Sequence, residues 1–391
     1  MAASLTPLAL DGVRVLDLAD KSCVYATKVL CDLGAEVIRI EPPGGDPMRH
    51  QPPLDDRTGE SLFHAFMNVN KRSVTLDLDK PDGQALFRKL VASAGIVVES
   101  AAPGSLDARG IGHAACEAGH PDLVWVSVTP FGSDGPRANW KADDLVMQAM
   151  GGLMTLSGLP DREPLKLFGE QTCYIAGLHA ASGALMAYWH ALQTGDGQRV
   201  DVSIQECVAH TLENAIQTYT AEGTVRGRTA GRPDAGAGVF PCTDGEIFLM
   251  ASASMISSSW HNMVSLMRAE GIEGADDLTD PKWVDPTFRR TPEARAFAGE
   301  VISRYTRTRT KNQVYDITQQ HRILSAPMSQ VGDLFDNAQL KFLHWFTEQA
   351  WDEDRSAIWP GPPVRLSETP RRPPVRVAKT GADTISVLGG Q

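Results

Sequence analysis

The residue with the clearest potential for chemistry is Glu170, within the short polar segment 167–172 (Leu-Phe-Gly-Glu-Gln-Thr). The apolar run at residues 175–192 predicts a buried helix, so this carboxylate stands where a loop meets a helix start. Free backbone N–H groups at such a start stabilise an anion, which suits a nucleophile. Acidic residues are also favoured there for structural reasons alone, and from this segment by itself a helix cap is the simpler interpretation.

A compact basic segment, Asn70-Lys71-Arg72-Ser73, lies at a predicted loop-to-strand junction. Lys and Arg side chains beside backbone N–H groups suit a phosphate. A solvated turn has the same composition, so the segment alone leaves both interpretations open.

Composition narrows the class of ligand. The 391 residues carry a formal net charge of -11 and are 42% hydrophobic, as in an ordinary acidic globular protein. An acidic chain has no global attraction to nucleic acid or to an anionic membrane, so we expect neither as a partner. A polyanionic ligand would need a local basic patch.

The residues that bind metals are scattered. The six cysteines show no CxxC pair, and the ten histidines show no HExxH motif, so we expect no metal site and no prosthetic group. The N-terminus lacks the pattern of a signal peptide, and the run at 175–192 contains His179, Ser182 and Tyr188 among small residues. We therefore expect a core helix rather than a membrane span, and a cytoplasmic protein.

The positioning elements follow an α/β pattern. A strand at 10–18, a helix at 24–33 and a strand at 36–41 form a βαβ unit. Further strands at 73–78, 96–99, 122–128 and 199–203 predict a larger parallel sheet. No GxGxxG follows the first strand, so the usual dinucleotide fingerprint is absent.

The later chain changes character. We predict a helix at 143–156 that is interrupted at Gly151-Gly152, and another at 204–218. A long Gly-rich loop at 223–244 is either a binding segment or a linker. A hairpin with an Asp-Gly turn follows at 239–250, then helices at 257–271, 292–306 and 311–321. A further short helix is predicted to start at Asp336.

Several segments together resemble family III CoA-transferases of the CaiB/BaiF superfamily, which include formyl-CoA transferases and carnitine CoA-transferases. Each segment is short, but their order and spacing over most of the chain are specific. They are residues 10–18 (LDGVRVLDL), 33–42 (LGAEVIRIEP), 70–78 (NKRSVTLDL), 106–110 (LDARG), 194–203 (TGDGQRVDVS), 325–328 (SAPM) and 336–340 (DNAQL).

The resemblance implies a fold and its partners. It implies a Rossmann-like large domain built from residues 1–222 and 326–391, with a smaller α+β domain at 223–325. It also implies a homodimer of two interlocked chains. The partners would be an acyl-CoA and a carboxylic acid, with the coenzyme A thioester as substrate rather than as a bound cofactor.

The resemblance also implies roles for individual residues. Arg39, Lys71, Arg72 and Arg109 would lie near the phosphates and adenosine of CoA, which is the local patch that an acidic protein needs for a polyphosphate. Glu170 matches the position of the family's nucleophile, which is an Asp. Either carboxylate can attack a thioester, although the extra methylene of Glu moves the carboxylate by more than an ångström.

Substrate contacts are less well defined by the resemblance. The candidates for the substrate pocket are Ser22, Tyr25, Asp144 and Gln148. Ser22 stands in the first strand-to-helix loop, where formyl-CoA transferases carry a Gln, and the segment from Gly231 to Gly238 reproduces their glycine-rich lid poorly.

Two other functions remain open. Glu170 would act as a general base in another acyl-CoA reaction on the same scaffold, such as racemisation, lyase chemistry or hydrolysis. The racemases place a His ahead of the Asp at the helix near Asp143, and here that position is Ala142. Alternatively, the chain is a catalytically silent CoA-binding protein.

Overall fold

The computed structural model describes residues 7–228, 234–251, 258–352 and 354–389. They form two compact units, each with its own hydrophobic core. The first unit comprises Met1–Ser157, Pro164–Arg226 and Phe342–Gln391, and the second comprises Gly158–Glu163 and Gly227–Lys341.

The first unit is built on a sheet of six parallel strands, as the sequence predicts. The strands are β1 (Arg14–Leu18), β2 (Glu36–Glu41), β3 (Arg72–Thr75), β4 (Ile96–Glu99), β5 (Val124–Thr129) and β6 (Arg199–Ser203). Their order is β3-β2-β1-β4-β5-β6, the doubly wound order of Rossmann-like folds. Every residue of β4 and β5 is buried, as expected for parallel strands covered on both faces.

Helices connect these strands. They are α1 (Tyr25–Asp32), α2 (Leu62–Asn68), α3 (Pro81–Val91), α4 (Ser105–Ala108), α5 (His113–Glu117), α6 (Asp144–Met150), α7 (Leu153–Leu156), α8 (Gln171–Thr194), α9 (Ile204–His210) and α10 (Ala215–Glu222), with a 3-10 turn at Pro47–His50. The predicted interruption at Gly151-Gly152 is confirmed, because Gly152 adopts a φ of 89° between α6 and α7. The helix predicted at 204–218 is wrong in extent, since it is divided between α9 and α10.

The long helix α8 lies close to α1 because its buried residues are small. Ala176, Gly177 and Ala180 are among them. A Cβ added to Gly177 would lie 2.8 Å from the Cβ of Tyr25 and 2.9 Å from the backbone N of Ala26. The small residues in this run therefore serve helix packing.

The second unit contains a three-stranded antiparallel sheet in the order β7-β8-β9. Its strands are β7 (Ala237–Cys242), β8 (Gly245–Met250) and β9 (Leu324–Pro327). Its helices are α11 (Ser259–Ala269), α12 (Pro286–Arg289), α13 (Pro292–Thr306), α14 (Lys311–Gln320), α15 (Val331–Asp336) and α16 (Ala338–Phe342), with 3-10 turns at Asp277–Thr279 and Pro281–Val284. The predicted hairpin is confirmed as β7 and β8.

The short helix predicted to start at Asp336 is present as α16, but it starts at Ala338, because α15 ends at Asp336. Asn337 caps α16 by accepting hydrogen bonds from the N–H groups of Gln339 and Leu340. The segment from Gly231 to Gly238 lies partly outside the described residues, which resume at residue 234.

The C-terminal segment returns to the first unit. It forms the hairpin β10 (Phe346–Ala350) and β11 (Ser356–Pro360) and ends in α17 (Thr384–Leu388). Asp383 accepts a hydrogen bond of 2.9 Å from the N–H of Ser73, and Thr384 accepts one of 3.0 Å from Thr75. The free edge of β3 is thereby covered.

A buried histidine makes the stability of the first unit depend on pH. Burial is the main cause that lowers the pKa of His64 in α2 from 6.5 to about 4, and the charge of Arg49 acts in the same direction. Because the pKa of His64 is lower in the folded than in the unfolded protein, protonation of His64 favours unfolding. Its contribution to the free energy of unfolding is therefore complete above pH 6.5 and is lost as pH falls towards 4. The total is roughly 3 kcal/mol in free energy of unfolding.

We therefore expect His64→Gln to flatten the fall in unfolding free energy between pH 7 and pH 4.5. Urea unfolding at several pH values measures this slope. The exposed His190, replaced by Gln, is the matched control and should keep the wild-type slope. Equal slopes for His64→Gln and the wild type would show that His64 does not cause the effect.

Candidate active site

Glu170 lines a cavity of about 370 Å³ in the first unit. The walls come from the loops that follow β1, β4 and β5, together with the starts of α6 and α8. In a doubly wound sheet, ligands bind at the carboxyl ends of the strands, which is where these loops lie. Polar groups at the rim include Lys21, Ser22 and Lys141, and apolar walls come from Trp140 and Met147.

Glu170 occupies the N-cap position of α8, but its side chain does not cap the helix. It makes no capping hydrogen bond within the described part of the chain. Lys21 Nζ lies 3.7 Å from a Glu170 carboxylate oxygen, and 24% of the Glu170 side chain is exposed. The purely structural interpretation of Glu170 therefore lacks the contact that defines it.

Asp144 performs the capping in its place. One oxygen of its buried carboxylate accepts hydrogen bonds of 2.8 Å from both the N–H and the hydroxyl of Thr172, in the first turn of α8. Burial alone would raise the pKa of Asp144, but the hydrogen bonds from Lys166 and Thr172 outweigh it and hold this pKa below its usual value. An ionised Asp144 thus satisfies the helix start and leaves Glu170 uncommitted.

The segment before Glu170 is held by residues of the same helix, α6. The amide of Gln148 donates to Asp144 at 2.7 Å, and its oxygen accepts the N–H of Leu167 at 2.9 Å. Lys166 Nζ pairs with Asp144 at 2.7 Å and donates to the carbonyl of Gly169 at 2.5 Å. The backbone on both sides of Glu170 is therefore attached to α6.

The loop that carries Lys21 is fixed by a buried ion network at the end of β1. The Asp17 carboxylate accepts from Arg39 Nη1, Lys71 Nζ and the N–H of Ala19 at 2.8–2.9 Å, and Arg39 donates to the carbonyl of Ala19 and pairs with Asp46. Burial would raise the pKa of Asp17, but these two cations outweigh it and lower the pKa. Ala19, two residues before Lys21, is thus held through both its N–H and its C=O.

A second, larger cavity of about 850 Å³ shares Asp20 and Lys21 with the Glu170 cavity. Arg39 and Arg109 both line it, and Arg109 pairs with Asp79 at 2.8 Å. A long ligand could therefore extend from a charged end near Arg109 to a reactive end near Glu170.

The structure brings together some of the residues predicted from sequence and separates others. Arg39 and Arg109 line the larger cavity. Lys71 instead forms a buried ion pair with Asp17. Arg72 pairs with Glu36 and Asp383. The role of Lys71 and Arg72 in CoA binding stays a prediction.

The candidates for the substrate pocket also differ among themselves. Ser22 and Asp144 line the Glu170 cavity, and Asp144 is already committed to α8. Tyr25 packs against Tyr174 with a ring separation of 4.7 Å, and Gln148 supports the loop instead of lining the cavity.

Sequence reasoning missed Lys21, Trp140 and Lys166. Lys21 could have been found, because it directly precedes Ser22 in a loop at the carboxyl edge of the predicted sheet. Trp140 and Lys166 stand in irregular segments without a motif, so only their placement in space reveals them.

Within the described ranges, no group of three or more His, Cys, Asp or Glu side chains could hold a metal ion. Those ranges also contain no helix long and apolar enough to cross a membrane.

A doubly wound sheet that places a carboxylate beside a large cavity lined by arginines fits an enzyme that binds a large anionic substrate. The family described as CoA-transferase family III matches residues 10–384, and the chain therefore belongs to this family.

Relatives and a solved structure agree with this assignment. The chain is 36% identical to the succinyl-CoA:(R)-benzylsuccinate CoA-transferase subunit BbsE of Thauera aromatica, over 91% of this chain and 87% of the relative. It is 33% identical to the succinyl-CoA–D-citramalate CoA-transferase of Chloroflexus aurantiacus, over 80% and 77%. A CaiB/BaiF family protein from Brucella suis has a similar structure, with a TM-score of 0.86 and 26% identity over 98% of this chain and 99% of that one.

The helix-capping role of Asp144 predicts a double effect of its removal. Asp144→Ala should lower the free energy of unfolding by about 1–2 kcal/mol, because a cap is lost. It should also lower kcat by roughly a hundredfold, because Glu170 loses its fixed position. Urea unfolding and steady-state kinetics measure the two effects.

Thr291→Ala is the matched control, since Thr291 caps α13 in the second unit in the same way, by accepting from the N–H of Ala294. It should cost a similar amount of stability and leave kcat unchanged. An Asp144→Ala protein with wild-type kcat would contradict the positioning role.

The two cavities predict that the basic residues differ in their effect on CoA thioester binding. Arg109→Gln should raise KM for the acyl-CoA about tenfold, because a cation in the larger cavity is lost. Arg72→Gln should leave KM within about twofold and lower stability, since Glu36 and Asp383 lose their partner. The opposite order of KM effects would place the CoA phosphates near Arg72.

Proposed function

We propose that this CoA-transferase moves CoA from an acyl-CoA to a carboxylic acid through a covalent intermediate on Glu170. The observation that carries the proposal is the uncommitted carboxylate of Glu170, which lines a cavity while Asp144 caps the helix behind it. A carboxylate that makes no capping hydrogen bond and is held at a fixed backbone position is what nucleophilic catalysis needs.

The reaction proceeds in two balanced halves. Glu170 attacks the donor thioester and expels CoA thiolate, which gives a mixed anhydride. The thiolate then attacks the Glu170 carbonyl, releases the donor acid and leaves a glutamyl-CoA thioester on the protein. The acceptor carboxylate attacks that thioester and expels CoA thiolate, which gives a second mixed anhydride. The thiolate then attacks the acceptor carbonyl of this anhydride, which forms the acceptor's CoA thioester and restores the Glu170 carboxylate.

Lys21 suits the role of an electrostatic partner in these steps. Negative charge develops on oxygen as each tetrahedral intermediate forms, and a cation near Glu170 stabilises that charge. Its Nζ lies 3.7 Å from Glu170, and Lys21 also lines the larger cavity. We place the phosphates of CoA near Arg109 and the thioester beside Lys21.

The longer side chain of Glu170 is compatible with this chemistry because hydrogen bonds fix the backbone on both sides of it. Lys166 and Gln148 hold the preceding segment, and Asp144 holds the following turn. We infer that the cavity is shaped for glutamate, so that a shorter carboxylate would stop short of the thioester carbonyl.

The names of relatives indicate the first substrates to test. Two relatives are named for succinyl-CoA as donor, and their acceptors are (R)-benzylsuccinate and D-citramalate. A transferase cavity lined by Trp140 and Met147 has room and apolar surface for a substituted acid. Succinyl-CoA with these acids is therefore the starting set.

A homodimer in the cytoplasm is part of the proposal. Support for a partner comes from large apolar side chains in solvent on α8, where Met186, Trp189 and Leu192 are each at least 60% exposed, and from Phe168, which is 96% exposed. Apolar surface of this kind commonly marks a protein interface. We propose no prosthetic group, with coenzyme A thioester as substrate.

The covalent step is tested by trapping. The protein is incubated with succinyl-CoA and treated with hydroxylamine or borohydride, and its peptides are then analysed by mass spectrometry. We expect modification at Glu170, loss of transfer in Glu170→Ala, and roughly a hundredfold lower kcat in Glu170→Asp.

Transfer activity that persists in Glu170→Ala would contradict the covalent mechanism. Proton exchange at the α-carbon without transfer would assign Glu170 as a base, and CoA binding without any turnover of the tested donors would indicate a silent binding protein. Higher activity in Glu170→Asp would contradict a cavity shaped for glutamate.

A further inference from the structure

A separate polar cavity of about 260 Å³ lies at the ends of β4 and β5. It is far larger than the roughly 30 Å³ that one water molecule occupies. Thr129 and residues 101–103 line both this cavity and the one that holds Glu170. The two spaces are therefore neighbours, and the steps of transfer described above leave the polar one without a role.

Three polar atoms at this cavity have no hydrogen-bond partner among the described residues. Ser127 and Thr129 are 1% and 2% exposed, and their hydroxyl oxygens are unpartnered, as is Nε2 of His113. Ser127 lies next to the Glu99 carboxyl without completing a hydrogen bond to it. Buried hydroxyls are normally satisfied, so two unsatisfied hydroxyls on residues that line one cavity point to a ligand.

The charge at the cavity comes from Arg199 on β6. Its Nη2 donates to Ser133 Oγ at 2.7 Å, and it forms no ion pair with any described carboxylate. A guanidinium with free N–H groups binds a carboxylate through two parallel hydrogen bonds.

Glu99 and Asp107 are the carboxyl groups at the cavity that would oppose an anion, and Glu99 is the one beside Ser127. The Glu99 carboxyl already accepts hydrogen bonds. Both of its oxygens are occupied, one by the N–H of Ala101 at 2.7 Å and the other by the indole N–H of Trp125 at 3.4 Å. Burial raises the pKa of Glu99, which favours its neutral form. The neutral form would not repel a bound carboxylate.

We propose that this cavity binds a small carboxylate, with Arg199 as counter-ion and the hydroxyls of Ser127 and Thr129 as hydrogen-bond donors. The carboxylate belongs either to a free acid or to the distal end of an acid whose other carboxylate reacts at Glu170. Only the second source rests on the proposed transfer function.

Fluorine NMR of the full chain labelled with 5-fluorotryptophan tests binding directly. Trp125 lines this cavity and Trp140 lines the other, so the two signals report on the two spaces. Trp125→Phe and Trp140→Phe assign them. Acetate and succinate are the probes, titrated without CoA so that no transfer can occur.

We expect both acids to shift the Trp125 signal in a saturable way, and Arg199→Gln to weaken that binding by about tenfold or more. Arg295→Gln, at an exposed arginine of the second unit, is the matched control and should bind as the wild type does. Thr129→Val, which keeps the side-chain shape, should also weaken binding and serves if Arg199→Gln fails to fold.

The two sources of the carboxylate are distinguished by the second signal. A free acid shifts the Trp125 signal alone, whereas succinate that spans both cavities shifts the signals of Trp125 and Trp140 together. The proposal is overturned if neither acid moves Trp125, or if Arg199→Gln and Thr129→Val both bind as tightly as the wild type.

Repeating the titration in Glu170→Ala separates this inference from the proposed function. Retained binding there, whatever the outcome of the trapping experiment, supports the carboxylate site independently of catalysis. Trapped Glu170 together with an unmoved Trp125 signal would leave the transfer mechanism standing and remove the carboxylate site.

Discussion

The hydrogen bonds from Thr172 to Asp144 are the constraint on which the proposed site depends. A helix start leaves several N–H groups without partners, and a nearby carboxylate is the usual remedy. Because α6 supplies that carboxylate, Glu170 keeps the N-cap position of α8 without using its side chain there. The same carboxylate also anchors Lys166 and Gln148, so one buried group both satisfies the helix and fixes the loop.

A second buried charge cluster fixes the loop that carries Lys21 into the cavity wall. Asp17 and Asp46 balance Arg39 and Lys71 at the end of β1. Removing one partner from such a cluster leaves an uncompensated buried charge, so the loss of any one member destabilises the fold. The loop with Lys21 leaves this cluster directly, and Lys21 stands where the two cavities meet. A thioester placed between them would meet a positioned cation and a positioned carboxylate.

The sequence was sufficient for the parallel sheet because its strands are short apolar runs separated by helical segments, a pattern that few other folds produce. It also located Glu170, through the contrast between a polar segment and the apolar helix after it. It could not predict the two cavities, since their walls come from residues far apart in the chain. Asp144 and Thr172, which are hydrogen-bonded in the wall of the Glu170 cavity, are 28 positions apart. Lys71 shows the same limit, because a basic residue at a strand start can face a ligand or a buried Asp17, and the sequence does not distinguish the two.

Oxygen transfer tests the central claim most directly. If Glu170 is the covalent carrier, an acceptor acid labelled with ¹⁸O in both carboxylate oxygens must leave one label on Glu170 in each turnover. The protein is quenched after turnover in unlabelled water, and fragmentation of the peptide that contains Glu170 locates the isotope. A covalent role of Glu170 predicts one ¹⁸O in its carboxylate after a single turnover and a second one as turnovers accumulate, whereas an unlabelled Glu170 after many turnovers would contradict that role.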